Sequence, residues 1–351
     1  MKKFTVLIMA VLMVSLVLSG CGSSTDGSSP AGSTAPGDAG EAAGIKVAAV
    51  FGGPITDKSW NETAYNGLQK IKAMGAEVAY TESTPAADAP DAIRTFASSG
   101  YNVVYVNSSA FKDAAYEIAP QFPKVTFIIN GVGKQGPNYA SLTTANGQQG
   151  YLQGIITALV TKKNKVGMIN GTEMTPTLDS EAGFYQAVAY VNEKKGRNVQ
   201  PKVTYLGNYT DTTAGYETAK SFIAEGYDAM TTVADNASNA VLQACEEAGV
   251  LSVGNGFDQN KVAPKTMIAG ITKDNEKTYV QSFKEYLDGT LLEKAATESY
   301  GINYGVVGLD GYFLPAADAL TEDDKAFIKE TMDKVASGEI IVKTMAEYKG
   351  Q

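Results

Sequence analysis

From Ile45 onward the chain alternates short, continuous apolar runs with amphipathic stretches. IKVAAVF (45–51), EVAYTE (77–82), NVVYVN (102–107) and VTFIIN (125–130) read as strands. NETAYNGLQKIKAMG, DAPDAIRTFASSG and AAYEIAPQFP between them read as helices, the first two closing on a glycine. Strands apolar at every position are buried on both faces, which in a βαβ pattern means a parallel sheet covered by helices. The pattern then repeats. Helices from GQQGYLQGIITALVTK to SNAVLQACEEAG alternate with the strands KVGMING, KVTYLGN, AMTTVA and LSVGNGFD. Two successive sets, with no duplicated enzyme motif, predict two similar doubly wound lobes. In open α/β sheets a ligand binds outside the carboxyl ends of the strands, so two facing lobes place the site in the cleft between them.

Length agrees with two lobes, because 351 residues exceed what one compact core usually holds. The formal net charge of −9 argues against a nucleic-acid partner, whose recognition needs a basic surface. The chain has no histidine. That removes the usual general base near neutral pH, the Ser-His-Asp triad and the HExxH zinc site. No cofactor or metal is expected.

The N-terminus reads as a leader: MKK is a short positive region, FTVLIMAVLMVSLVL an apolar run, and LSGC closes it just before a cysteine. The last four residues resemble the lipobox of bacterial lipoproteins. The resemblance implies cleavage before Cys21 and lipid on its sulfur, hence an extracytoplasmic protein anchored to the cell membrane. An ordinary cleaved signal peptide and an uncleaved membrane helix are the other readings. The run stops near the lower limit for spanning a bilayer. Residues 22–43, GSSTDGSSPAGSTAPGDAGEAA, are a Gly/Ser/Ala/Pro tract expected to be a disordered tether. Cys245 is the one other cysteine and matches the apolar side of a helix, as a small buried thiol would.

The strand-end segments FGGPITDKSWN, VNSSAF, INGVG, INGTEM, GNYTD, VADNAS, GFDQN and GITKDN are rich in Asn, Asp, Ser, Thr and aromatics. That composition suits a neutral polar ligand, although loops are polar for turn reasons too. Gly52 to Ser59 is not a phosphate loop. The Walker pattern needs glycine before the lysine, and Asp57 stands there, where a carboxylate repels phosphate.

DKSWNETAYNGLQ is similar to the D-K-S-F-N-x-x-x-x-x-G-L stretch of the basic membrane protein family, lipoprotein substrate-binding components of ABC transporters. The similarity continues through FASSGYNVVYV, FPKVTFIING, NYASLTTANGQQGYLQGIITAL, KVGMING, EAGFYQAV, GNYTD, GFDQNKVAP and VASGEIIV, over nearly all of residues 45–343. It implies the type I periplasmic-binding fold, with two Rossmann-like lobes joined by a three-strand hinge. The expected division is a signal peptide over 1–20 and a lipidated cysteine with its linker over 21–43. Lobe 1 follows as 44–143 plus 272–303, and lobe 2 as 144–271 plus 304–351. The implied partners are a small-molecule ligand, an ABC permease and its ATPase, and the membrane, with the protein itself a monomer.

Several members of the family bind purine nucleosides between two aromatic rings. By that resemblance Trp60 stands at the first aromatic position, with Asn61 beside it, and Tyr209 of GNYTD at the second. Asp258 of GFDQN and Lys273 of GITKDN match polar positions that hold ribose hydroxyls. Each has a plainer reading: a core tryptophan, a packed tyrosine, surface charges or an ion pair between lobes. The chain departs from the family at two points. Phe51 follows the first strand where the nucleoside binders usually carry an acid, and Asn130-Gly131 replaces an Asp-Gly. Both positions are expected to face the ligand. Alternatively, Phe51 is a core ring and Asn130 a turn residue. An ionised aspartate only accepts hydrogen bonds, whereas asparagine donates and accepts. A purine nucleoside is therefore the expected ligand, with a free nucleobase or another flat heterocycle left open.

Two other classes compete. In an enzyme, Asp179 and Glu181 would serve as a carboxylate pair, but at a predicted helix start they read as capping charges. An interaction protein with a vestigial cleft is the third reading.

Overall fold

The computed structural model describes residues 40–350 apart from 57–59, 132, 257–258 and 314–315. Two sheets carry the fold. The first has β1 (Lys46–Phe51), β2 (Glu77–Thr81), β3 (Val103–Asn107), β4 (Thr126–Asn130) and β5 (Tyr139–Leu142) in the order β2-β1-β3-β4-β5, all parallel. The helices α1 (Trp60–Ala73), α2 (Ala89–Ser98) and α3 (Lys112–Ile118) connect the first four strands.

The second sheet is built from α4 (Asn146–Val160), β6 (Lys165–Asn170), α5 (Thr175–Lys195), β7 (Gln200–Tyr205), α6 (Thr212–Ala224), β8 (Ala229–Val233), α7 (Asp235–Ala248), β9 (Leu251–Gly254) and β10 (Met267–Lys273). The chain then returns to the first lobe as α8 (Asn275–Asp288) and α9 (Leu291–Thr297). It comes back once more as β11 (Val307–Tyr312), followed by α10 (Ala316–Ala319), α11 (Glu322–Ala336) and α12 (Met345–Lys349). The order is β11-β10-β9-β8-β6-β7, with β11 antiparallel to β10. This is the type I periplasmic-binding fold, as expected.

Each sheet is covered on both faces, which explains why the inner strands β1, β3, β4, β6 and β8 are buried along nearly their whole length. In the first lobe, Ala64, Leu68 and Ile71 of α1 and Phe283 of α8 pack on one face of the sheet, and Ile93 of α2 and Ile118 of α3 on the other. In the second, Leu152, Phe184 and Ile328 lie on one face and Phe222, Val241 and Cys245 on the other. Burial pushes the Cys245 thiol up to about 12, so it is an inert core residue.

Three segments cross between the lobes and lie side by side. The Tyr300 amide donates to Thr143 O at 2.8 Å, Ala145 N to Tyr300 O at 3.0 Å, and Asp274 N to Val306 O at 2.8 Å. Residues 40–43, expected in the linker, pack against the first lobe. Gly40 N and Ala42 N both donate to Met74 O, and Ala42 is wholly buried in the first core, so the end of the tract is docked rather than free. α5 also starts sooner than its apolar pattern suggests, at Thr175. Asp179 and Glu181 therefore lie inside it and do not cap it. Asp179 Oδ1 accepts from Met345 N at 2.9 Å, and Glu181 Oε2 accepts from the Tyr205 hydroxyl at 2.6 Å. The two carboxylates serve different structural partners and do not form a catalytic pair.

Candidate functional site

Strand order locates the site. The order reverses between β1 and β3 in the first sheet and between β6 and β8 in the second, and open α/β sheets bind ligands outside the carboxyl ends of strands at such switch points. Side chains alternate along a strand, so Ile128 and Asn130 of β4 share a face, as do Tyr105 and Asn107 of β3. Ile128 and Tyr105 pack in the core under α1 and α8. Asn107 and Asn130 therefore emerge from that core where the first residues of α1 and α8 meet.

The result is a carboxamide network, almost without charge. Asn130 Nδ2 donates to Asn107 Oδ1 at 3.0 Å and to Asn275 Oδ1 at 3.2 Å. Asn107 Nδ2 donates to Asn61 Oδ1 at 3.2 Å. Trp60 is clamped by it, its indole Nε1 donating to Asn107 O at 3.2 Å while its own carbonyl accepts from Asn275 Nδ2 at 3.1 Å. One of the two glycines after β1 has a steric reason: a Cβ on Gly53 would stand 2.6 Å from Asn61 Nδ2.

Lys273 closes the constellation from the last position of β10. Its ammonium lies 5.9 Å from the centroid of the Trp60 ring and donates to Asn146 Oδ1 at 3.1 Å. Asn146 is turned toward it because its Nδ2 donates to Thr144 O at 3.0 Å, on the β5-to-α4 crossing. Burial lowers the Lys273 pKa, and Asp235 at the start of α7 offsets part of that effect. Asp235 has a φ of 43°, a left-handed conformation uncommon outside glycine.

Of the residues singled out from sequence, Trp60, Asn61, Asn130 and Lys273 come together here. Phe51 does not join them as a ligand contact. It continues the inward face of β1 with Val47 and Ala49, is wholly buried, and packs edge-on against Tyr80 at 6.1 Å. Its expected role is corrected to that of a core ring. Tyr209 lies on the carboxyl edge of the second sheet. Its hydroxyl donates to Met174 Sδ at 3.0 Å, and its ring lies so close to Gly171 that a Cβ there would be 2.3 Å from it. Asp258 and Cys21 lie outside the described residues.

Sequence reasoning did not single out Asn107, Asn275 or Asn146, although the first two fall in strand-end segments flagged as polar. A surface groove of about 430 Å³ near Tyr101 and Phe122 is at the amino-terminal edge of the first sheet, away from this chemistry.

Two covered α/β lobes, three crossings and a polar site at the facing strand ends define a two-lobed solute receptor. The chain belongs to the family described as PnrA-like substrate-binding proteins of ABC transporters, which matches residues 45–346. It is 26% identical over 304 residues to basic membrane protein A2 of Borrelia garinii subsp. bavariensis, covering 85% of this chain and 88% of that one. It is 25% identical over 300 residues to a purine-binding protein of Brucella abortus, covering 84% and 82%. An ABC transporter solute-binding protein from Conexibacter woesei shares the fold, with a TM-score of 0.70 at 22% identity over 86% of this chain and 99% of that one. Substrate-binding proteins of this family work outside the cytoplasm, take up a small molecule and cooperate with a permease. Among the described residues no helix is long and apolar enough to cross a membrane.

Proposed function

We propose that this protein receives a purine nucleoside in the cleft between its lobes, delivers it to an ABC permease, and is held at the membrane by lipid on Cys21. The observation that carries the ligand class is Trp60: a flat ring at a switch point, clamped through both its indole N–H and its carbonyl, with an ammonium at its face. A flat heterocycle is the natural partner of such a ring, each stack being worth about 0.5–1.5 kcal/mol beyond area burial. The site's neutral carboxamides suit an uncharged polar ligand, and Lys273 can donate to its ring or hydroxyl oxygens. The likeness to a purine-binding protein supports the same class. Tyr209 is proposed as the facing ring and Asp258 as a ribose acceptor. Function requires binding, lobe closure and release, and no bond chemistry.

The test is native mass spectrometry of protein purified without refolding, followed by calorimetry. A co-purifying mass equal to a purine nucleoside, displaced by added nucleoside with a change in Trp60 fluorescence, is the expected result. Binding of nucleobases alone would move the assignment to that class. No binding of either would overturn it.

A further inference from the structure

The carboxamides at the two switch points have a direction. Asn275 Nδ2 is committed to a main-chain carbonyl, that of Trp60, so its Oδ1 must face Asn130. Asn130 must therefore turn its Nδ2 toward Asn275 and Asn107, and it does, at 3.2 and 3.0 Å. The orientation is forced from the backbone outward. The remaining atom, Asn130 Oδ1, is buried and has no protein partner.

The same arrangement recurs in the second lobe. Asn170 is the last residue of β6, beside β8 at that sheet's switch point, and is wholly buried. Its Nδ2 faces Thr177 O, a main-chain carbonyl at 3.5 Å. Its Oδ1 has no protein partner. The next residue, Gly171, is the one on which the Tyr209 ring lies. Each lobe thus has, at its switch point, a buried asparagine whose amide oxygen lacks a protein partner. A buried acceptor left unmatched is costly, so such atoms are kept where something supplies a donor.

Resting on the nucleoside reading above, we infer that Asn170 is a specificity-determining residue and that the site selects bases bearing N–H donors. Asn130 cannot turn to offer its nitrogen without breaking the chain of bonds that runs through Asn275 to Trp60 O, and turning Asn170 gives up its contact with Thr177 O. As they stand, both offer an acceptor to the ligand. A ring N–H or an exocyclic amine satisfies them, while a base edge carrying only acceptors leaves both oxygens unmatched.

The experiment is calorimetry of the full protein, freed of bound ligand, with three ribosides that share the sugar. Guanosine carries a ring N–H and an exocyclic amine, inosine a ring N–H alone, and purine riboside neither. Affinity is expected to fall in that order, with guanosine about tenfold or more tighter than purine riboside, as the loss of a partner for a buried acceptor requires. Asn170→Ala is expected to narrow the gap between guanosine and purine riboside, and its urea midpoint beside that of the wild type reports whether the fold is intact. If that variant does not fold, the wild-type series decides alone. A flat series across all three ribosides overturns the inference and leaves the nucleoside assignment in place. Failure of every riboside, with guanine binding more tightly than unsubstituted purine, removes the nucleoside assignment and keeps the donor rule. Failure of ribosides and bases alike removes both.

Discussion

Burial works against the charged form of Lys273, so the folded pKa lies below the unfolded one. For a group so depressed, the folded state gains from the neutral form. That contribution is complete above the unfolded pKa and is lost as pH falls through the folded value. Protonating Lys273 therefore costs stability, and the cost grows as pH falls. Lys273→Met is expected to raise the thermal midpoint at pH 7, and the gain should shrink as pH is raised toward 10, which melting curves at both pH values measure. An equal gain at both would show that packing, not charge, is responsible. Trp60 stood out in the sequence because it lies in a polar run beyond a strand end, whereas Asn61 and Lys273 were reached only through the resemblance to the family; the structure brings the three together. Asn107 and Asn275 did not stand out, because an asparagine in a polar segment reads as a turn residue until register shows it buried. Phe51 misled for the converse reason. The position beyond a strand invites a ligand contact, but alternation continues the buried face by one more residue.

At the scale of elements, the alternation of apolar runs and amphipathic helices was plain, because strands buried on both faces and one-sided helices leave different periods. What escaped was short: β5, and the first turns of α5, where TPTLDS carries no apolar period, while the crossings came only from the resemblance to the family. The pairing of α4 with α5 rests on small residues. A Cβ on Gly150 would lie 1.8 Å from Ser180 O, and one on Gly154 would lie 2.7 Å from the Ala187 Cβ. The glycines let the helices approach closely, and α4 in turn presents Asn146 to Lys273. Gly150→Ala leaves helix propensity improved and packing impaired. It is expected to destabilise by roughly 1–3 kcal/mol, the usual cost of overpacking, in urea unfolding of the purified domain. An unchanged midpoint would mean that the two helices separate without penalty.

For the whole molecule, the two-lobed plan followed from the repeat of one pattern, whereas the expectation of lipid on Cys21 rests on the four residues LSGC. Cys21→Ser is expected to move the protein from the membrane fraction to the soluble fraction of fractionated cells, and a variant that stays with the membrane would refute lipid anchoring. The crossings have a second use: with Lys273 and Asn146 on two of them, a ligand that draws on Lys273 pulls on the hinge itself. The carboxamide site also bears on how such a protein ages. Asn130 and Asn170 each precede a glycine, the step at which asparagine most readily deamidates, because the following backbone nitrogen can attack the side-chain carbonyl. Here both nitrogens are occupied, Gly131 N donating to Leu142 O at 3.1 Å and Gly171 N to Val233 O at 2.9 Å. The sheet edges that position the recognition groups also protect them from chemical decay. A preparation that spends time unfolded will turn these neutral amides into carboxylates while its mass hardly changes.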